Sequence, residues 1–146
     1  MDLKERIRSG QLLSPKDEIE MLKLDDLLLF ETYVANYPMF KYAELKLIEL
    51  GKADWIKLYI KHYSFCEDAE VELVRSKILE PIKCYMDRYY LCERAEEELV
   101  KSGNAEAITA YIIQHPLRNK ARKELLELDN LDLIQLHLGY YPDLPI

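Results

Sequence analysis

The chain has 146 residues, 49% apolar and 32% charged, a balance that excludes intrinsic disorder and suits one domain around one core. Its 20 Lys and Arg against 27 Asp and Glu leave a net charge of −7, which disfavours nucleic acid or an anionic membrane as partner of the whole surface. Four Gly and six Pro offer little turn chemistry for a strand-rich fold.

The first eight residues, Met1 to Arg8, are charged and carry no apolar stretch, so no secretory signal is expected. The longest apolar run, Leu27 to Phe30, is far too short to cross a bilayer. Cys66, Cys84 and Cys92 are odd in number and lack metal-site spacing, which fits reduced thiols in a soluble, cytoplasmic protein. Residues 1–16 read as a capping segment. Ile7-Arg8-Ser9-Gly10 repeats the pattern of Val100-Lys101-Ser102-Gly103, so a degenerate capping helix is expected over 2–14.

From Asp17 onward the chain repeats itself. Segments starting at 17, 43, 69, 95 and 121 are spaced by 26 residues without a gap and fill 17–146. Numbering each segment from 1, position 5 is Met21, Leu47, Leu73, Leu99 and Leu125, and position 6 is Leu22, Ile48, Val74, Val100 and Leu126. Position 14 is Phe30, Ile56, Ile82, Ile108 and Ile134, and position 18 is Val34, Ile60, Met86, Ile112 and Leu138. These positions predict two short amphipathic helices per segment, over about 1–8 and 11–20. Gly51 and Gly103 at position 9 suit a left-handed helix end. Asp26, Asn104 and Asn130 at position 10 suit the N-cap of the second helix, and Pro38, Pro116 and Pro142 follow its end.

A lone pair of helices this short cannot bury its apolar stripe, whereas stacked pairs can. The expected fold is therefore all-α: a right-handed α-solenoid of about five two-helix repeats with an N-terminal half-cap. The pattern is similar to the short-repeat α-solenoids of the HEAT- and armadillo-like class. That resemblance implies a scaffold that binds another macromolecule through a repeated surface, and it implies no catalytic residue.

Position 17 is Tyr33, Tyr59, Tyr85, Tyr111 and His137, and position 21 is Tyr37, Tyr63, Tyr89, His115 and Tyr141. Eight of the 11 tyrosines thus form two columns, four residues apart on one helical face. Two readings stand: rings that glue one repeat to the next, or a stacking platform for a peptide or for bases. The outward positions 15 and 19 vary from repeat to repeat. There Lys57, Lys61, Lys83, Asp87, Thr109 and Ile113 are the candidate binding residues for a protein or peptide, although unconstrained drift would look the same. Glu18, Glu44, Glu70 and Glu96, with Lys23, Arg75 and Lys101, read as a solvated outer face.

Little points to chemistry. No phosphate loop, nucleophile elbow or zinc motif occurs, so neither an enzyme nor a cofactor or metal site is expected. His62 and Cys66 make at most two ligands, and Cys66 and Cys92 sit on stacked helices about 8–10 Å apart, beyond disulfide reach. Arg118, Lys120, Arg122 and Lys123 form one basic cluster which, with the exposed edge of the tyrosine ladder, is the basis of an alternative reading as a nucleic-acid-binding repeat. The end of the chain, Leu144-Pro145-Ile146, carries no polar cap and is expected either to fold back or to support a homodimer through the C-terminal repeat.

Overall fold

A computed structural model describes residues 1–144; the last two residues of the terminal segment discussed above, Pro145 and Ile146, lie outside the described residues. Within that range the chain is all-helical, with eleven helices and no strand. They are α1 (Leu3–Arg8), α2 (Pro15–Lys23), α3 (Leu27–Val34), α4 (Lys41–Leu50), α5 (Ala53–His62), α6 (Glu67–Arg75), α7 (Leu79–Arg88), α8 (Glu93–Lys101), α9 (Ala105–Gln114), α10 (Asn119–Leu128) and α11 (Leu131–Tyr140). The even helices from α2 to α10 start at 15, 41, 67, 93 and 119, and the odd ones from α3 to α11 at 27, 53, 79, 105 and 131, each series in steps of 26. No helix among the described residues is long and apolar enough to cross a membrane.

The chain divides into two compact units, Met1–Glu72 and Leu73–Ile146. In the first, α2 packs on α4, α1 on α3 and α3 on α5; in the second, α8 packs on α10, α7 on α9 and α9 on α11. First helices thus meet first helices and second helices meet second ones, as a helical repeat requires. Ala43, Ala69, Ala95 and Ala121 at position 1 are fully buried, as are Phe30, Ile56 and Ile108 at position 14.

The second helices begin where the sequence places them. Asp26, Asn104 and Asn130 each accept the backbone N–H three residues on, of Leu29, Ala107 and Leu133, and so satisfy a first-turn donor. The first helices begin two residues earlier than the repeat frame suggests. Ser14 is the N-cap of α2 and Pro15 its first residue, a position where proline loses no hydrogen bond. The expected capping helix over 2–14 is shorter too: α1 ends at Arg8 because Gly10 turns left-handed, with φ of 82°. Between the two helices of every pair, position 9 is left-handed, with φ of 56° at Asp25, 68° at Gly51, 60° at Lys77, 67° at Gly103 and 55° at Asp129. Only two of these five are glycine, so three turns carry backbone strain.

Candidate binding face and the polar joints beneath it

The position-17 tyrosines are interior joints, and those at position 21 are half-buried. Tyr33, Tyr59, Tyr85 and Tyr111 at position 17 are essentially fully buried, which leaves no exposed ring there for a base or peptide to stack upon. The Tyr33 hydroxyl donates to Glu18 Oε2 at 2.7 Å and accepts the Leu13 N–H at 3.1 Å. The Tyr59 hydroxyl likewise donates to Glu44 Oε2 at 2.6 Å and accepts the Met39 N–H at 3.0 Å. Tyr111 donates to Glu96 Oε2.

The glutamates complete the joint. Glu18 Oε1 accepts the N–H of Phe40, the N-cap of α4, at 2.8 Å; Glu44 Oε1 accepts that of Cys66, just before α6, at 2.9 Å. Glu96 Oε1 accepts that of Arg118, the N-cap of α10, at 3.0 Å. A donor that a capping side chain would ordinarily satisfy is here held by the preceding first helix. The expected solvated column is therefore overturned: Glu18 and Glu96 are wholly buried, and Glu44 and Glu70 nearly so. Burial pushes the carboxyls of Glu18, Glu44 and Glu96 above the ordinary range, against the hydrogen bonds that favour the ionised form. The Tyr33, Tyr59 and Tyr111 hydroxyls are pushed up by burial and by the adjoining glutamate, so they stay protonated donors.

Position 21 forms a second row of joints. Tyr63 donates to the Val34 carbonyl at 2.7 Å and Tyr141 to that of Ile112 at 2.7 Å. His115 Nε2 reaches the Met86 carbonyl at 3.2 Å, and since a carbonyl only accepts, this nitrogen carries the proton. Tyr37 donates to the Gly10 carbonyl at 2.6 Å. Tyr89 is half-buried in the same column. These rings lie close to their position-17 neighbours, with centroids 5.4 Å apart for Tyr33 and Tyr37.

The last joint departs from the rest. His137 replaces tyrosine and Arg122 replaces glutamate. His137 Nε2 accepts the Leu117 N–H at 3.1 Å, while its buried Nδ1 has no hydrogen-bond partner among the described residues. Burial, and then the Arg122 charge, hold this imidazole below its ordinary pKa. Arg122 itself donates to the Leu117 carbonyl at 2.6 Å and to Asn119 Oδ1.

The candidate face divides between the two compact units. Lys57 and Lys61 lie on α5 in the first. Lys83, Asp87, Thr109 and Ile113 lie on α7 and α9 in the second, where the structure brings them together. Lys83, Thr109 and Ile113 line an open groove of about 400 Å³ with Ala105, Glu106 and Ala110. Lys83 Nζ meets Glu106 Oε1 at 2.7 Å on one edge, and Gln114 donates to Asp87 Oδ1 at 2.6 Å beyond the other end. The two alanines and the half-exposed Ile113 leave an apolar floor that no other side chain fills among the described residues.

Half of the basic cluster is committed to structure. Arg118 donates to the Leu91 carbonyl at 2.7 Å, pairs with Glu96 at 3.2 Å and lies 4.2 Å over the Tyr90 ring. Arg122 is tied as described, which leaves Lys120 and Lys123 exposed. His62 is exposed, all three cysteines are free, and no group of three or more metal-ligating side chains occurs among the described residues.

The fold and this face thus define an all-helical protein whose neighbouring helices pack in a recurring order. No protein-family model, curated protein or solved structure matches the chain.

Proposed function

We propose that the chain is a right-handed α-solenoid of five 26-residue repeats, residues 17–146, with an N-terminal half-cap, and that it is a non-enzymatic scaffold for a protein or peptide partner. Handedness follows the HEAT- and armadillo-like resemblance. The repeat count follows the 26-residue recurrence of helix starts. Three free cysteines suit a reducing, cytoplasmic setting.

The observation that carries the function is the α7–α9 groove. Its floor of Ala105, Ala110 and Ile113 lets another backbone approach closely, and the Lys83–Glu106 pair on its edge offers one charge of each sign. A small apolar floor beside polar edges suits an apolar anchor residue flanked by polar ones. The joints below use every position-17 ring for internal hydrogen bonding or burial, so the outward positions 15 and 19 are free to differ between repeats.

The test is selection from a displayed library of random peptides against the 146-residue chain. Peptides with a shared apolar anchor are expected, and both Ile113→Arg and Ala110→Arg should weaken them by tenfold or more. Binding indifferent to both substitutions would overturn the assignment of this groove. Preferential capture of single-stranded nucleic acid, lost steeply with salt and with Lys120→Glu plus Lys123→Glu, would instead favour the nucleic-acid reading.

A further inference from the structure

We infer that the open side of α10 and α11 is a self-association surface, and that its occupant is a second copy of this chain docked across a two-fold axis. The direction in which this side faces is fixed by the helix pair before it. Arg75 pairs with Glu98 at 3.1 Å and Lys101 with Glu124 at 4.0 Å, so position 7 of a first helix faces its successor, which answers with position 4. The carbonyls of Met86 and Ile112 at position 18 receive the rings of His115 and Tyr141, so this end of a second helix faces its successor as well.

Among the described residues, the apolar framework on that side is covered in α8 and α9 and uncovered in α10 and α11. Val100 and Ile112 are 0% exposed, whereas their counterparts Leu126 and Leu138 are 45% and 42% exposed. Arg122 stands where the earlier repeats carry glutamate, and the Leu144 N–H turns back to the Tyr141 carbonyl.

Charge selects the occupant. Lys123 and Glu127 lie one turn apart on α10, both exposed and both to one side of Leu126, and neither has an ion-pair partner among the described residues. With the two α10 helices antiparallel and a two-fold axis level with residue 125, midway between them, Lys123 of each copy faces Glu127 of the other, giving two reciprocal pairs beside Leu126. Head-to-tail stacking would instead set Glu127 against position 4 of α2, which is Glu20, a like charge. The two-fold arrangement is the self-complementary one, and it is independent of the α7–α9 groove.

Sedimentation equilibrium of the 146-residue chain tests this. The mass is expected to rise with concentration from 17.3 kDa to twice that value. Leu126→Asp with Leu138→Asp should abolish the rise while circular dichroism shows intact helix, since both residues are already exposed. Lys123→Glu and Glu127→Lys should each weaken the dimer about tenfold, and the double swap should restore it, because the pairs re-form with signs exchanged. A 17.3 kDa mass at every concentration overturns the proposal, and so does a dimer unaffected by the leucine pair. A swap no better than either single reversal overturns the two-fold pairing.

Discussion

Tyr59→Phe removes a single oxygen from the interior and tests whether the joints carry stability. That oxygen donates to Glu44 Oε2 and accepts the Met39 N–H, and Met39 is 6% exposed. Losing a hydrogen bond to a charged acceptor costs about 1.5–3 kcal/mol, and an orphaned buried amide about 1–3 kcal/mol. The two losses share one atom and overlap, so about 3 kcal/mol is expected, or roughly 6–12 °C in Tm for a chain of this size. Tyr63→Phe is the control. Its half-buried hydroxyl makes one bond, to the Val34 carbonyl, and about 1 kcal/mol should go with it. Trp55, the only tryptophan, is buried and stacks on Phe30 in the same compact unit, so its fluorescence through a guanidinium titration reports the loss. Equal effects for the two variants, or less than about 1 kcal/mol for Tyr59→Phe, would refute the load assigned to position 17.

Backbone strain makes a prediction of opposite sign. Lys77→Gly relieves a left-handed residue with φ of 60° and should raise stability by about 0.5–1 kcal/mol, whereas Gly103→Ala should lower it by about 1 kcal/mol. The added methyl at 103 meets Leu128 Cδ1 at an ordinary 3.7 Å, so that cost is conformational; thermal melts of both variants check it. The joints also split by pH. Glu18, Glu44 and Glu96 have raised pKa values, so the folded state binds their protons more tightly, and their contribution is full below about pH 4.5 and falls as pH rises through the folded values. His137 has a lowered pKa, so its contribution is present above pH 6.5 and is lost as pH falls toward the folded value. Hydrogen exchange at pH 5 against pH 7 should therefore show the Leu117 amide losing protection in the wild type. With His137→Tyr it should not; identical behaviour of the two would sink the assignment.

The period, the helix pairing and the second-helix N-caps were legible because each depends on residues a few positions apart. Asp26, Asn104 and Asn130 announce their caps within one turn of the amides they satisfy. The burial of the glutamate column is harder to read, because charge at a regular spacing resembles a solvated face. A signal for its burial existed: at 100° per residue, position 2 falls between the apolar positions 5 and 6. A second signal was covariation inside the chain, since glutamate and tyrosine both disappear together in the last repeat, at Arg122 and His137. The buried column Leu13, Met39, Phe65, Leu91 and Leu117 at position 23 lies beyond the helix ends, where periodicity gives no register, and it was not anticipated. The α7–α9 groove was half legible: positions 15 and 19 named Lys83, Thr109 and Ile113, but Ala105 and Ala110 matter through their small size, which leaves no polar or aromatic mark.

The joints also explain why the outward face is free to vary. An all-aliphatic contact between helix pairs tolerates sliding, because one leucine replaces another at little cost. A carboxylate that must receive a tyrosine hydroxyl on one oxygen and a backbone amide on the other admits one register, since any shift leaves buried polar groups unpaired. In the first compact unit, Glu18 and Glu44 each impose that condition at 2.6–2.9 Å. With register set from inside, positions 15 and 19 add only side-chain contacts at the surface, such as Lys83 with Glu106 and Gln114 with Asp87. Substitution at Lys57, Lys61, Lys83, Asp87, Thr109 or Ile113 should then change stability by no more than about 1 kcal/mol, the range of side-chain pairs near the surface, as thermal melts of the six variants would check.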